Sequence, residues 1–306
     1  MDLSIITINY NSSLHTISMI KSIVKYTEGL NFEIIVVDNA SKEDEFNVLK
    51  ENFPQQENIK LIRSKINLGF GMGNMFGLQH ASNSDYVVFV NNDVVFKENT
   101  LNILYHYMQQ NPKVGVCGAN VVYKTSEFHL SSFGHFYDLS FKFLGIKWYE
   151  KIYNKPQINE IHEKVISVDF ITGSLMFFRA KDFASIGGFD PNLFLYYEEM
   201  DTSLRLKKIG KETHYISTTT YVHEAGLSAR KVDKGLNLMK EQQISYNHVF
   251  KKHYGMKLYV LLYLMDLIKL SINCLITPKI HFSLLKLHLQ FNPMYKSMKY
   301  QQKIIL

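Results

Sequence analysis

Between Leu3 and Val90 four short, almost wholly apolar runs alternate with helix-like stretches, and no other feature restricts the chain as much. The runs are Leu3–Ile8, Glu33–Val37, Ile59–Ile62 and Tyr86–Val90. Strands with one face in water alternate polar and apolar residues, whereas continuous apolar runs belong to strands covered on both faces. After the first run, Leu14, Ile17, Ile20, Val24 and Thr27 recur at helical spacing, with Ser12 or Ser13 as N-cap and Gly29 as a stop. A β-α-β-α-β layout predicts an α/β domain whose mostly parallel sheet is flanked by helices. Farther along, residues 114–122 and 174–178 read as strands, and Glu199–Ile209 reads as a helix ended by Gly210. Residues 126–165 have no clear period and many aromatics, including the sole Trp148, as an insertion over a site or an acceptor-facing flap would.

Polar residues collect where such a sheet would use them. Thr7, Asn9, Asn11, Asp38, Asn39 and Asp93 all fall at or just past the carboxyl end of a run. Open α/β sheets bind ligands in the crevice at those ends. Asn and Asp also end strands and cap helices for purely local reasons, but three ends of the same character favour a shared crevice. Asn67-Leu68-Gly69-Phe70-Gly71-Met72-Gly73-Asn74 has glycines at alternate positions, which is neither a dinucleotide fingerprint nor a P-loop. Such glycines serve close backbone approach to a ligand or tight packing. Glu198, Glu199 and Asp201 follow the aromatic stretch Phe194-Leu195-Tyr196-Tyr197. Crowding and burial there raise a carboxyl pKa, as a general base for a hydroxyl requires, and acids in a first helical turn also favour the macrodipole.

The ordered set Ile6-Thr7-Ile8-Asn9-Tyr10-Asn11, Val36-Val37-Asp38-Asn39-Ala40-Ser41, Asn67-Leu68-Gly69-Phe70, Asn91-Asn92-Asp93 and Phe194…Tyr197-Glu198-Glu199-Met200-Asp201 resembles the family 2 glycosyltransferases of the GT-A fold. Within that family it is similar to the rhamnosyltransferase-like branch of polysaccharide assembly enzymes. Thr172-Gly173-Ser174, Gly187-Gly188-Phe189-Asp190 and the segment around His223 extend the likeness over roughly residues 3–230. The resemblance implies an inverting transfer of a sugar from a nucleoside-diphosphate sugar (dTDP-rhamnose or a UDP-hexose) to a hydroxyl of a glycan or lipid-linked glycan. It places Thr7, Asn9, Asn11, Asp38, Asn67, Gly69 and Asn92 around the donor, with Asp38 reading the nucleobase. It makes Asp93 and His223 ligands of Mg²⁺ or Mn²⁺, and Glu199 the base, with Glu198 beside it and Asp201 as the alternative. Arg230 and Lys231 are placed by position and charge to neutralise the diphosphate.

Two positions depart from the family pattern. The metal motif is Asn91-Asn92-Asp93, so its first carboxylate is an amide, and the aspartate expected in the Glu-Asp pair is Glu199. A single carboxylate leaves more of the cation to the donor phosphates. The Gln-x-x-Arg-Trp motif of processive synthases is absent, since Trp148 is the only tryptophan. A non-catalytic nucleotide-sugar or polysaccharide binding protein on the same fold is the alternative. A nucleotidyltransferase would need a basic glycine-rich loop near the N-terminus, and Met1–Ser13 has none.

The net charge of +6 resides in the tail: from Leu267 onward there are six lysines and no Asp or Glu, so the preceding residues balance. These lysines are interleaved with Leu, Ile, Phe and Tyr, which favours an anionic membrane surface over nucleic acid. Leu258–Thr277 is apolar enough to approach a bilayer, yet Asp266, Lys269, Asn273 and Thr277 draw a polar stripe that is costly in lipid. The expectation is a GT-A domain over residues 1–255 and an amphipathic, basic tail over 256–306 lying in the interface, with a helix packed on the domain or one spanning the bilayer as the alternatives. Cys117 and Cys274 cannot form a disulfide framework, and Leu3-Ser4-Ile5 follows Met1-Asp2 with no basic n-region. The expected location is therefore cytoplasmic, peripheral on the inner face of the cell membrane.

Overall fold

The computed structural model describes residues 1–123, 132–158, 160, 162–224, 235–276, 278–291 and 293–305. The chain opens with β1 (Leu3–Asn9), α1 (Ser13–Tyr26), β2 (Phe32–Asn39), α2 (Glu43–Glu51), β3 (Ile59–Ser64), α3 (Gly69–Leu78) and β4 (Tyr86–Val90). It continues through β5 (Val94–Val95), α4 (Thr100–Gln110), β6 (Val114–Tyr123), β7 (Phe133–Gly134), α5 (Leu139–Leu144), α6 (Ile146–Ile152), β8 (Ile166–Val168), β9 (Phe170–Ile171) and β10 (Leu175–Arg179). Then come α7 (Ala180–Ser185), α8 (Glu198–Lys208), β11 (Glu212–His223), α9 (Leu236–Ile276) and α10 (Pro278–His288).

Among the described residues one nine-stranded sheet has the order β3-β2-β1-β4-β10-β6-β11-β5, with β8 also paired to β11. The first four strands are parallel neighbours, as the apolar runs imply. Beyond them the sheet is mixed, because β10 lies antiparallel to both β4 and β6. β10 emerges from the small β7–β9 insertion and not over a crossover helix, so no connection obliges it to run parallel. The apolar runs alternate between two buried layers. Leu3, Ile5, Ile34, Val36, Val88 and Phe177 pack against α1 and α4, while Ile6, Ile35, Val87, Phe89 and Phe178 pack against α3, α7 and Phe189.

One local expectation is corrected and one open choice is decided. Helix α1 buries Thr16, Ile17, Met19, Ile20 and Ile23, leaving Leu14 exposed at 71% and Val24 at 38%. The helix is rotated from the face its large apolar residues predict because Thr16 is drawn inward, where its hydroxyl donates to Asn9 Oδ1 at 2.8 Å. The alternate glycines, open in the sequence to ligand approach or tight packing, form helix α3. A Cβ on Gly77 would lie 2.6 Å from Ile6 Cγ2, and one on Gly73 would lie 2.8 Å from Ile8 Cδ1. These glycines let the helix sit directly on β1 and β2, so they serve packing.

Gly69 is the most constrained of them. Its φ is +76°, and an added Cβ would fall 2.2 Å from the carbonyl oxygen of Phe194. That carbonyl also accepts a hydrogen bond from Phe70 N at 2.8 Å, which pins the loop to the segment entering α8. Gly69→Ala is expected to destabilise the protein by about 2 kcal/mol or more, since the strain and the clash are with backbone and neither relaxes cheaply. A urea-denaturation midpoint unchanged in Gly69→Ala would overturn this reading.

Helix α9 bends at Gly255, where φ is 83°. Before the bend it buries Ile244, Tyr246, Val249 and Phe250 on the catalytic body. Its basic residues clamp two aspartates: Asp190 Oδ2 accepts from Lys252 at 2.7 Å and lies 2.9 Å from His248 Nε2, and Asp201 Oδ1 lies 2.7 Å from both Lys252 Nζ and His253 Nε2. After the bend the polar stripe expected to face water splits up. Asp266 is buried, its carboxylate 3.0 Å from Lys142 of α5, whereas Lys269 is exposed and Thr277 lies outside the described residues. Leu261, Leu264, Ile268 and Leu275, spaced by three, four and seven, stand exposed on the opposite face. This part of the helix therefore turns Asp266, Leu262 and Leu270 inward and leaves a second apolar face outward.

Candidate active site

The strand ends of β1, β2 and β3 are tied into one rigid rim. Asn9 Nδ2 donates to Asp38 Oδ1 at 2.9 Å and to Ser41 Oγ at 3.1 Å. Parallel pairing sets Asn9 beside Asp38 and Asp38 beside Arg63, whose Nε lies 3.2 Å from Asp38 Oδ2. Asn11 Oδ1 accepts from Lys42 N at 2.8 Å, and its own N–H donates to Ser41 Oγ at 2.9 Å. Asn39 Oδ1 accepts from Leu68 N at 2.9 Å, while Asn67 Oδ1 accepts from Asn39 Nδ2 and from Gly69 N, each at 2.9 Å. Asn92 Nδ2 reaches Thr16 Oγ1 at 2.9 Å, joining the end of β4 to the same rim. Thr7 Oγ1 is buried, and its hydroxyl has no hydrogen-bond partner among the described residues.

Asp93 and His223 meet although 130 residues separate them. Strand β5 pairs with the end of β11 so that His223 stands opposite Val94, the residue after Asp93. This register places His223 Nε2 3.0 Å from Asp93 Oδ1, and Glu224 N donates to the Asp93 carbonyl at 2.9 Å. A carboxylate and an imidazole nitrogen converging at the crevice fit a divalent cation that takes its remaining ligands from phosphate and water. Among the described residues no cluster of three or more His, Cys, Asp or Glu is disposed to hold a metal.

The acidic cluster divides into three environments. Glu198 is buried, with Oε1 lacking a hydrogen-bond partner among the described residues, and it faces α3, where Gly71 makes room for it. Burial and then the charge of Glu199 push its carboxyl well above the ordinary range. Glu199 is partly buried, and desolvation pushes its carboxyl up to about 7. Its Oε2 faces Gly173, where an added Cβ would stand 3.7 Å away. Asp201 is fully buried, and Arg205 Nη2, Lys252 Nζ and His253 Nε2 lie 2.6, 2.7 and 2.7 Å from its oxygens. Burial opposes its ionisation, but the His253 hydrogen bond and the Arg205 and Lys252 charges prevail and lower its pKa.

Two contacts bring Glu199 to the Asp93 side of the crevice. Ser174 O accepts from Asn91 N at 2.9 Å, so Gly173, which Glu199 faces, adjoins the Asn91-Asn92-Asp93 turn. Backbone strain gathers around the same opening. Asn11, Ala40, Tyr196 and Tyr197 have φ of 50°, 64°, 76° and 69°, conformations that cost side-chain-bearing residues roughly 1–3 kcal/mol each. Tyr196 and Tyr197 deliver the first turn of α8 into the crevice, and the Tyr197 ring packs 6.0 Å from Tyr137.

The structure thus gathers Thr7, Asn9, Asn11, Asp38, Asn67, Gly69, Asn92, Asp93, His223, Glu198 and Glu199 around one crevice. It sets Asp201 apart beneath α8, held by α9. Arg230 and Lys231 lie outside the described residues. Sequence reasoning missed Arg63, whose guanidinium pairs with Asp38 and Glu43 and stacks 3.9 Å over Phe46. Its signal was position, one residue past the run Ile59–Ile62 at the ligand-facing end of a strand. Thr16 and Tyr137 were missed as well, the first inside a helix and the second inside a stretch with no period.

Comparison with known proteins converges on one group. Residues 4–187 match the family model for glycosyl transferase family 2. The chain is 28% identical over 220 residues to rhamnosyltransferase WbbL of Escherichia coli K12, covering 66% of this chain and 78% of that protein. It is 22% identical over 270 residues to the N-acetylglucosaminyl-diphospho-decaprenol L-rhamnosyltransferase of Mycobacterium tuberculosis, covering 83% of this chain and 85% of that protein. In fold it is similar to GalNAc-T7, solved with UDP, GalNAc and Mn²⁺, at a TM-score of 0.58 and 16% identity. That match covers 87% of this chain, which spans only 57% of the GalNAc-T7 chain. Staphylococcus aureus TarS 1–349 with UDP matches at a TM-score of 0.53 and 16% identity, over 83% of this chain and 71% of that one.

Proposed function

The chain belongs to glycosyltransferase family 2, and from that premise we propose that it is an inverting, metal-dependent transferase moving L-rhamnose from a nucleoside-diphosphate donor to a lipid-linked glycan. The observation that carries the reading is the meeting of three distant segments: Asp93 beside His223, and Glu199 facing Gly173 in the loop whose Ser174 carbonyl bonds Asn91, two residues before Asp93. Rhamnose is favoured because it features in the names of both relatives aligned over most of their length, and a lipid-diphosphate acceptor because the mycobacterial relative's name carries one.

The rim of Asn9, Asn11, Asp38, Asn67 and Asn92 holds the nucleotide. Since Asn9 and Asn39 spend their amides on other protein groups, they act by positioning Asp38 and the Asn67 loop. Asp93 and His223 would hold Mg²⁺ or Mn²⁺, which supplies charge stabilisation to the departing diphosphate. Glu199 removes the proton from the acceptor hydroxyl as the hydroxyl oxygen attacks the anomeric carbon from the face opposite the leaving group. A carboxyl with a pKa of about 7 is half ionised near neutrality, which suits that transfer. Tyr137 and Tyr197 line the approach on the acceptor side.

The tail seats the enzyme on the cytoplasmic face of a membrane. Helix α9 is long and apolar enough to cross one. However, its buried Asp266–Lys142 pair and outward leucines favour a helix lying against the interface with its body-facing side on protein. The reading is tested by nucleotide release from dTDP-rhamnose, UDP-hexoses and GDP-sugars with a lipid-linked acceptor extract. One donor is expected to turn over, EDTA is expected to abolish that turnover and Mn²⁺ or Mg²⁺ to restore it, and Asp93→Ala is expected to lower it roughly 10²–10³-fold. Donor binding with no turnover in any acceptor extract, unaffected by EDTA, would instead support a nucleotide-sugar binding protein.

A further inference from the structure

Away from the crevice, a cavity of about 550 Å³ lies between the start of α9, one face of α10 and the C-terminal segment from Lys296 to Gln301. Its lining is unlike that of an accidental packing gap. Lys240 comes from α9, Lys286 from α10 and Lys296 from the C-terminal segment, so three separate segments each contribute a lysine to the lining. Ser283 of α10 and Gln290 just past its end add hydrogen-bonding groups. Three cationic residues lining one cavity give it a positive potential, which favours an anionic ligand.

The single acid in the lining, Glu241, does not neutralise them. It is 1% exposed, and its two oxygens accept from Ser297 Oγ and Met298 N, each at 2.7 Å. Those bonds fasten the C-terminal segment that carries Lys296 onto α9. Glu241 is also close enough to Tyr196 and Glu198 for its charge to act on both. Nearby on the same helix, Ser245 Oγ donates to Leu195 O at 2.8 Å. The cavity therefore backs onto the strained turn that delivers α8 to the crevice. The chain end returns to the donor side too, with Ile305 N donating to Lys65 O at 2.8 Å.

We propose that this cavity is a phosphate-binding site that receives the phosphate or diphosphate of the lipid-linked acceptor. Phosphate is the ligand class that three converging lysines and neutral hydrogen-bonding groups recognise. The exposed leucines of α9, on the helix that also supplies Lys240, provide a surface along which the lipid's apolar chain can lie. The lipid half of the assignment rests on the acceptor class proposed above, whereas phosphate binding stands on the cavity itself.

The test uses the full chain in EDTA, so that metal-assisted binding at Asp93 does not contribute. Inorganic pyrophosphate is titrated calorimetrically, and flotation is measured with phosphatidylcholine vesicles with and without phosphatidic acid. Wild type is expected to bind pyrophosphate and to prefer the phosphatidic acid vesicles. Lys240→Gln, Lys286→Gln and Lys296→Gln are each expected to weaken pyrophosphate binding about three- to tenfold, and the triple variant to lose it. The triple Lys→Arg variant is expected to retain binding, which separates loss of charge from loss of fold. Pyrophosphate affinity unchanged in the Gln variants, or none in wild type, overturns the site. Lysine-dependent pyrophosphate binding without any preference for phosphatidic acid overturns the lipid assignment and leaves a site for a soluble phosphate. Donor turnover is scored separately with a soluble glycan acceptor: its absence counts against the transfer reading alone, because phosphate binding is measured without transfer.

Discussion

Glu199→Gln is expected to lower kcat about 10³-fold while donor affinity stays close to that of wild type, because the amide keeps the shape and loses the base. In wild type, kcat is expected to rise with pH through about 7, as the carboxyl that burial has raised gives up its proton, and then to level. The same shift has a stability consequence of opposite sense. A glutamate ionises near 4.5 when unperturbed and near 7 here, so the folded state binds a proton that the unfolded state releases. Stability from this group is greatest below about 4.5 and is lost as the pH rises to about 7. Glu199→Gln has no charge to desolvate, so above that range it is expected to exceed wild type in stability by up to about 2 kcal/mol. A variant that is both inactive and less stable at about pH 8 would identify Glu199 as a structural residue.

Asp201→Asn is expected to behave in the reverse way, with a large loss of stability and a small change in turnover of the folded fraction. Removing this carboxylate strands Arg205, Lys252 and His253 around a fully buried position, a change worth about 3–5 kcal/mol. It also releases α9 from α8, since Lys252 and His253 belong to the first part of the C-terminal helix. The sign with pH follows from the lowered pKa. The stability contributed by Asp201 is present above about 3.8, where an unfolded aspartate is already ionised, and is lost as the pH falls through its lower folded value. Urea titrations of wild type and Asp201→Asn are therefore expected to differ most near neutrality and to converge in acid. A well-folded Asp201→Asn with turnover as low as that of Glu199→Gln would move the base from Glu199 to Asp201.

The contrast between these neighbouring acids shows where legibility ended. Glu198, Glu199 and Asp201 are equivalent in the sequence as carboxylates after an aromatic stretch. Their separation into a buried acid packed on α3, a carboxyl facing Gly173 and an ion-paired anchor depends on groups far away in the chain: Gly71, Gly173, Lys252 and His253. Local pattern could rank them as a cluster and could not assign their roles. The glycine run was legible only as a need for close approach. Whether a ligand or a sheet did the approaching depended on Ile6 and Ile8, which the run itself does not contain.

The tail repeats the lesson with the opposite outcome for patterning. Asp266 and Lys269 read as one polar stripe because helical spacing relates them, yet Lys142 pulls Asp266 to the protein side and leaves Lys269 in solvent. Periodicity reports which residues share a helix face but does not report what that face meets.

By itself the sequence determined the alternating strands and helices of the first half, the burial of those strands on both sides, and the polar strand ends where ligands bind. These follow from local physics, since an apolar run without alternation has to be covered on both faces and a polar residue at a strand end has to find a partner. Only the tertiary structure decided that β10 enters reversed, that His223 faces Asp93 across 130 residues, and which of three acids is free to take a proton. Those outcomes turn on strand register, desolvation and ion pairing between segments distant in the chain, and such quantities come into being only when the segments meet.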